Sequence, residues 1–377
     1  MNAKRKNILL VLKEQRPTVF ETILKHGHMM HWSIEYYPAE IPKNWYGDGA
    51  IVDYISPQEI ARLPKGTPIA TRSSIIADNI FPVRADTEYN MAMVFNFFRS
   101  RGYRNYAVAN AHPMLYDPVT VIGRMAKEAG YNYDFIYWNL VGKKVMKEDF
   151  TRCIKVIGEW LLQLPKPCAL YIGRIRSVHL VYRACEQVGV SIPKDVAIVS
   201  NTDDPEYGVN LLPSISVMSD NHEGAAIKMV EGLDGLINGK PAPRQIQLIR
   251  SDRIVARGST DAYAVEHPAT MQAIDYILSN YSNPQLTLQD ITRAAGCTAV
   301  TLQRNFAKYL RRLPSSFLQE VRLEGAAAML EKTTLNLQEI AQNVGYGSNM
   351  SLSLAFKSRF GMAPGQYRKN LNRVNRK

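Results

Sequence analysis

Two short runs of side chains stand at matching places near the C-terminal end of the chain. They are Ala299, Val300, Gln303 and Arg304 in one, and Asn349, Met350, Ser351 and Leu354 in the other. Such groups suit contact with nucleic-acid base edges. Arginine grips guanine with two parallel N–H donors, glutamine or asparagine pairs with adenine, and an apolar side chain meets only the thymine methyl. Catalysis has no comparable candidate. The seven histidines fall in no triad, HExxH or nucleophile-elbow setting, and there is no GxGxxG or P-loop. Asp203 and Asp204 are adjacent carboxylates in a loop, an arrangement that is usually solvated. The four cysteines, Cys153, Cys168, Cys185 and Cys297, are scattered without a CxxC pair. They are expected to be reduced thiols used as small apolar residues. No enzyme activity, metal site or cofactor is expected.

The two runs are positioned by a repeat. Residues 286–314 align with 335–364: Leu286 and Leu335 open each copy, and Gly296 and Gly345 follow ten residues later. Phe306 and Phe356 come next, with one extra residue in the second copy. Pro314 and Pro364 lie eight residues beyond their phenylalanine, and Phe317 and Tyr367 three beyond that. Thr287 and Asn336 are N-cap types, with Asp290 and Glu339 three residues on, the spacing of a capping box. Ile291, Ala294 and Ala295 form one apolar face, matched by Ile340, Ala341 and Val344. A glycine then allows a tight turn, and a second helix turns Leu302 and Phe306, or Leu352 and Phe356, inward. Helix, glycine-bearing turn and helix is the helix-turn-helix layout, whose second helix enters the major groove. Two units on one chain can address successive grooves roughly 34 Å apart.

The rest of the chain has a different grammar. Strand candidates at 7–12, 49–55, 67–72, 105–110, 133–138, 168–173 and 195–200 alternate with helical stretches at 88–101, 119–129, 149–163 and 176–188. That alternation predicts mainly parallel sheet covered on both faces, and the length suits two such lobes. After Ser259 only helical patterns occur, and the His267–Pro268 step disfavours helix at His267. The boundaries expected are therefore 1–260 for the α/β part, 261–268 for a linker and 269–377 for the all-α part. Fourteen Lys/Arg against six Asp/Glu lie between 268 and 377, a net +8 out of +12 for all 377 residues. This bias suits a polyanion, of which nucleic acid is the commonest, or a solubilising surface. No apolar run approaches the roughly 20 residues that span a bilayer. The N-terminal stretch lacks the apolar core and cleavage site of a signal peptide. A cytoplasmic protein with no membrane association is expected.

The segments GCTAVTLQRNFAKYL, RLEGAAAMLEKTTLNLQEIAQNVGY and FKSRFGMAPGQYR resemble the C-terminal domain of AraC-family transcription regulators. The resemblance spans nearly all of 268–372. It implies DNA contacts from Val300, Gln303 and Arg304 and from Asn349, Met350, Ser351 and Leu354. Thr298, Thr301 and Ser353 complete the DNA-facing set. Met350 stands where the family usually has a polar residue, and Leu354 where it often has arginine, so discrimination in that half is weaker or differently directed. From Asn7 to Thr260, motifs such as VRADTEYNMAMVFNFFRSRGYRNYAVAN, VGVSIPKDVAIVS and IRSDRIVARGST resemble the sugar-responsive domain of LacI-type repressors. That resemblance implies a two-lobed, periplasmic-binding-protein-like (type I) fold with a ligand cleft.

Open α/β lobes bind ligands at the carboxyl ends of their strands. This points to Lys13, Glu14, Asp53, Tyr54, Arg72, Asn110, Gly173, Arg174 and Asn201 to Asp203, with Lys13, Glu14, Arg72, Asn110, Arg174 and Asp203 the effector candidates. The LacI-type pattern departs where sugar hydroxyls are usually held: its arginine falls on Val119 and its aspartates on Ile175 and Thr202. Three readings stay open: a one-residue slip that brings in Asp203, an effector that is not a plain sugar, or a lobe that has lost ligand binding. A xylose-like pentose is the first choice. The function expected is a homodimeric regulator of sugar catabolic genes that binds double-stranded DNA and works with RNA polymerase. A regulator of a non-sugar ligand, or a constitutive one with a degenerate sensor, is the alternative.

Overall fold

Runs of Val, Ile and Leu without polar alternation need cover on both faces, and the chain provides it twice. A computed structural model describes residues 5–13, 17–38, 40–113, 117–140, 149–201, 211–219, 221–265 and 267–375. The candidates Glu14, Thr202 and Asp203 lie outside the described residues. The first lobe is a parallel six-stranded sheet of β1 (Lys6–Leu12), β2 (Trp32–Pro38), β3 (Gly49–Val52), β4 (Ile69–Thr71), β5 (Ile80–Ala85) and β11 (Gln247–Ile249). Its order is β11-β5-β4-β3-β1-β2. The run Ile8 to Val11 on β1 has no exposed surface. Helices α1 (Pro17–Met29) and α7 (His222–Ile237) pack one face around Ile23, Met229 and Leu233; Trp45 covers the other with Ile55 and Leu63, which flank the one-turn helix α2 (Pro57–Ile60).

The second lobe has β6 (Asn105–Asn110), β7 (Asn132–Tyr137), β8 (Cys168–Ile172), β9 (Val196–Ser200), β10 (Ser216–Ser219) and β12 (Arg253–Val255), ordered β12-β10-β9-β8-β6-β7. Only β12 runs antiparallel to its neighbour among the described strands. Helices α3 (Thr87–Arg99) and α4 (Pro118–Glu128) pack on one face, α5 (Phe150–Gln163) and α6 (Val178–Val188) on the other. The chain therefore passes between lobes three times. The passages lie together: the Asp86 N–H donates to Ile249 O at 2.8 Å, the Ser251 N–H to Asn90 Oδ1 at 2.9 Å, and the Asp252 N–H to Ser219 O at 3.3 Å. The expected strand at 49–55 stops at Val52, because Tyr54 takes a left-handed φ of 50°. Burial pushes the Cys168 and Cys185 thiols up to about 12, which leaves them protonated packing groups.

The C-terminal part is helical: α8 (Pro268–Asn280), α9 (Leu288–Ala294), α10 (Ala299–Leu310), α11 (Pro314–Lys332), α12 (Leu337–Asn343), α13 (Asn349–Phe360) and α14 (Pro364–Asn375). Two cores form, one around Ile291, Leu302, Phe306 and Phe317 and the other around Ile340, Leu352, Phe356 and Tyr367. The long α11 contributes to both. Residues 261–265 form neither helix nor strand but are not a free tether. Val265 is buried in the first helical core, and the Tyr263 ring meets Phe317 edge-on at 5.1 Å. No helix among the described residues is long and apolar enough to cross a membrane.

Candidate nucleic-acid interface and effector cleft

The repeat in the sequence is a repeat in space. Thr287 accepts the Asp290 N–H at 3.3 Å and donates its own N–H to Asp290 Oδ2 at 3.0 Å, closing the capping box of α9. Asn336 and Glu339 close the box of α12 at 3.0 and 2.7 Å. Hydrogen bonds to the Thr287 side chain and backbone hold the Asp290 carboxyl below its ordinary range. Gly296 and Gly345 turn the chain with φ of +61° and +78°, a region a Cβ disfavours. Inward-facing aromatics then lock each unit: Phe306 packs edge-on to Phe317 at 5.6 Å and Phe356 to Tyr367 at 5.2 Å, both at 83°. The matched spacing of those four residues thus encodes one packing contact used twice.

With Leu302, Phe306, Leu352 and Phe356 buried, the opposite faces of α10 and α13 are left to solvent. Val300, Gln303 and Arg304 are exposed on α10; Asn349, Met350, Ser351 and Leu354 are exposed on α13. Thr298 and Ser348 are the N-caps. The Thr301 N–H donates to Thr298 Oγ1 and the Ser351 N–H to Ser348 Oγ, each at 3.2 Å. Thr298, Thr301 and Ser351 therefore serve their helix ends first. Ser353 is half-buried beside Leu354. Asn305 turns inward, its amide 3.5 Å from His267 Nε2, and His267 in turn caps α8.

Both units rest on the second lobe. The Arg101 guanidinium, 4% exposed, donates to Glu324 on α11 at 3.1 and 3.4 Å and lies 3.8 Å over the Phe97 ring. Arg312 donates to Ser100 O at 2.7 Å and pairs with Glu320. Burial lowers the Arg312 pKa to about 10, still well above neutrality. Further along, Arg257 pairs with Glu331 at 3.9 Å, and Arg253 lies 4.9 Å over Tyr367 of the second unit. The contacts between lobe and helical part join residues more than 70 positions apart and were not foreseen in the sequence.

The effector candidates divide between the lobes. On the first, Lys13 donates to Tyr54 O at 2.9 Å and pairs with Glu59 at 2.5 Å. Burial raises the Glu59 pKa, but its bonds to Lys13 and Ser56 outweigh that and hold it below 4.5. Arg72 lies 3.7 Å from the buried Asp53 carboxylate and 5.2 Å over the Tyr54 ring. On the second lobe, Asn110 ends β6 in the interior and its amide reaches Asp117 Oδ1 at 3.5 Å. Tyr137 donates to Asp117 Oδ2, while Oδ1 also caps α4 by accepting the Val119 N–H at 3.1 Å. Burial and the Asp117 carboxylate raise the Tyr137 pKa, so it remains a donor. Arg174 is exposed after β8, and Asn201 accepts the Ile175 N–H at 3.0 Å. Sequence reasoning passed over Asp117 and Tyr137. The Asp117–Pro118 start of a helix after β6 was the available signal.

Comparisons with known proteins agree with this architecture. The helix-turn-helix domain family matches residues 291–370, and the periplasmic binding protein-like domain family matches residues 97–260. The xylose operon regulatory protein of Escherichia coli K12 is 23% identical over 339 residues, 86% of this chain and 85% of that protein. A putative AraC-like transcription regulator of Streptomyces lividans is 39% identical over 84 residues, 22% of this chain and 28% of its own. The solved structure of the xylose-binding transcription activator xylR superposes with a TM-score of 0.61 at 20% identity, covering 98% of this chain and 99% of that one. The chain is a DNA-binding transcription regulator homologous to the xylose operon regulatory proteins, with AraC-type helix-turn-helix units following a periplasmic binding protein-like domain.

Proposed function

We propose that the chain is a cytoplasmic regulator of sugar catabolic genes, with a xylose-like pentose as its effector. In this reading it binds double-stranded DNA as a homodimer, acts on RNA polymerase and catalyses nothing. The observation that carries the reading is the pair of exposed recognition faces built on a scaffold docked to the second lobe. A ligand that alters the lobes then alters the placement of both faces, provided it binds one arrangement better than the other. Thr298, Val300, Thr301, Gln303, Arg304, Asn349, Met350, Ser351, Ser353 and Leu354 form the DNA side. Lys13, Arg72, Asn110 and Arg174 form the effector side with Asp117 and Tyr137; Glu14 and Asp203 are assigned by sequence alone. The relatives named for xylose support a pentose.

Calorimetric titration of the full-length protein with D-xylose is expected to show saturable binding that Asp117→Ala abolishes. A mobility shift on DNA upstream of pentose-catabolic genes should respond to the sugar. Arg304→Ala should cost roughly 1–3 kcal/mol of site affinity and relax preference at one base position. Unchanged affinity in that variant refutes the placement of the first recognition helix. A second reading, a non-sugar effector or a degenerate cleft, is favoured by Val119 and Ile175 at the departed positions. The ion pairs of Lys13 with Glu59 and Arg72 with Asp53 also favour it, because they already occupy the polar groups of the first lobe. Absence of heat with any pentose, alongside an intact DNA shift, selects it.

A further inference from the structure

The two recognition helices present different chemistry at equivalent places. On α10, Val300 is followed four residues on by Arg304; on α13 the same positions hold Met350 and Leu354, 71% and 69% exposed. An i,i+4 pair lies on one helix face, so α13 carries an apolar ridge where α10 ends in a cation. Between Asn349 and Leu354 there is no charged side chain; the first on the helix is Lys357. Neither apolar residue belongs to the second core, which Leu352 and Phe356 supply from the opposite side.

The major groove offers a single apolar group on its base edges, the thymine C5 methyl. Pressed against guanine, cytosine or adenine, Met350 and Leu354 would cover donors and acceptors without replacing their water, an unfavourable exchange. Against thymine methyls they gain by burial. We propose that the second helix-turn-helix unit selects thymines through Met350 and Leu354, so that this chain reads one half of its site by hydrogen bonding from Gln303 and Arg304 and the other by methyl contact. The inference rests on the DNA-binding reading of the two units. It goes beyond that reading in naming the base and the group recognised.

The test uses the full-length protein and a duplex recovered by selection from a randomised library. That duplex is resynthesised with each thymine replaced singly by uracil, which removes only the methyl group. At one or more positions the wild-type chain is expected to bind about fourfold more weakly, the equivalent of ~0.8 kcal/mol for one buried methyl. Leu354→Ala or Met350→Ala should then bind the thymine and uracil duplexes alike, while Arg304→Ala keeps the difference. Indifference of the wild-type chain to every uracil overturns the proposal and assigns the ridge to a protein partner. A uracil effect that persists in both apolar variants also overturns it. Recovery of no duplex at all is a different result, and it refutes DNA binding itself.

Discussion

Arg101 is the most deeply buried cation at the seam between the second lobe and the helical part, and Glu324→Ala is the sharpest way to disturb it. Burial works against the charge of Arg101, but Glu324 together with Tyr263 more than offsets it and the pKa is raised. Removing Glu324 takes most of that offset away, but arginine starts so far above neutrality that Arg101 stays charged, with the Arg312 guanidinium nearby and its bonds to Glu324 unreplaced. Breaking a fully buried pair costs roughly 3–5 kcal/mol. Glu324 is 34% exposed, so water can reach the vacated place and the cost falls to about 2 kcal/mol. Alanine returns a few tenths through helix propensity. The assay follows from where the tryptophans are: Trp32, Trp45, Trp138 and Trp160 all lie in the lobes. Urea unfolding followed by tryptophan fluorescence reports the lobes, and circular dichroism reports every helix. Glu324→Ala should lower the dichroism midpoint while the fluorescence midpoint moves less. The double variant Arg101→Met, Glu324→Leu should recover most of the loss. A change below about 0.5 kcal/mol in the single variant, or a double variant weaker than the single, refutes the assignment of this ion pair as the joint.

The two turn glycines should respond unequally to alanine. At Gly345 a Cβ would sit 2.4 Å from Tyr281 O and 2.9 Å from the Arg322 guanidinium, while at Gly296 it meets nothing within 4 Å. Gly296→Ala should therefore cost only the left-handed strain, about 1 kcal/mol, and Gly345→Ala about 2 kcal/mol or more, read as urea midpoints. Equal losses would remove the steric argument. Glu59 has a folded pKa below 4.5, so its contribution to stability is complete above that pH and is lost as pH falls through the folded value. Acid unfolding should accordingly be steeper for the wild-type chain than for Glu59→Gln. Parallel acid curves refute the Lys13–Glu59 assignment.

Much of the interface was legible because its determinants are local. N-caps, turn glycines and the spacing of Phe306 to Phe317 and of Phe356 to Tyr367 act within a few residues or one short hairpin, and their chemistry is written in residue types. The alternation of strands and helices likewise announced buried parallel sheet. The long helix α11 shows where that legibility ends. Phe317, Leu318, Val321, Leu323, Ala326 and Leu330 are all buried, because both helix-turn-helix units pack around it while Glu324 meets the lobe.

The sequence by itself determined the two repeated readers, their caps and corners, and the covered sheets, since each depends on periodicity or on groups at most a dozen residues apart. Tertiary structure alone decided that the short strands β11 and β12 join different lobes, that Asp117 gathers Asn110 and Tyr137, and that Arg101 meets Glu324 across 223 positions. Such pairings are set by which distant surfaces exclude water together, and no local pattern carries that information.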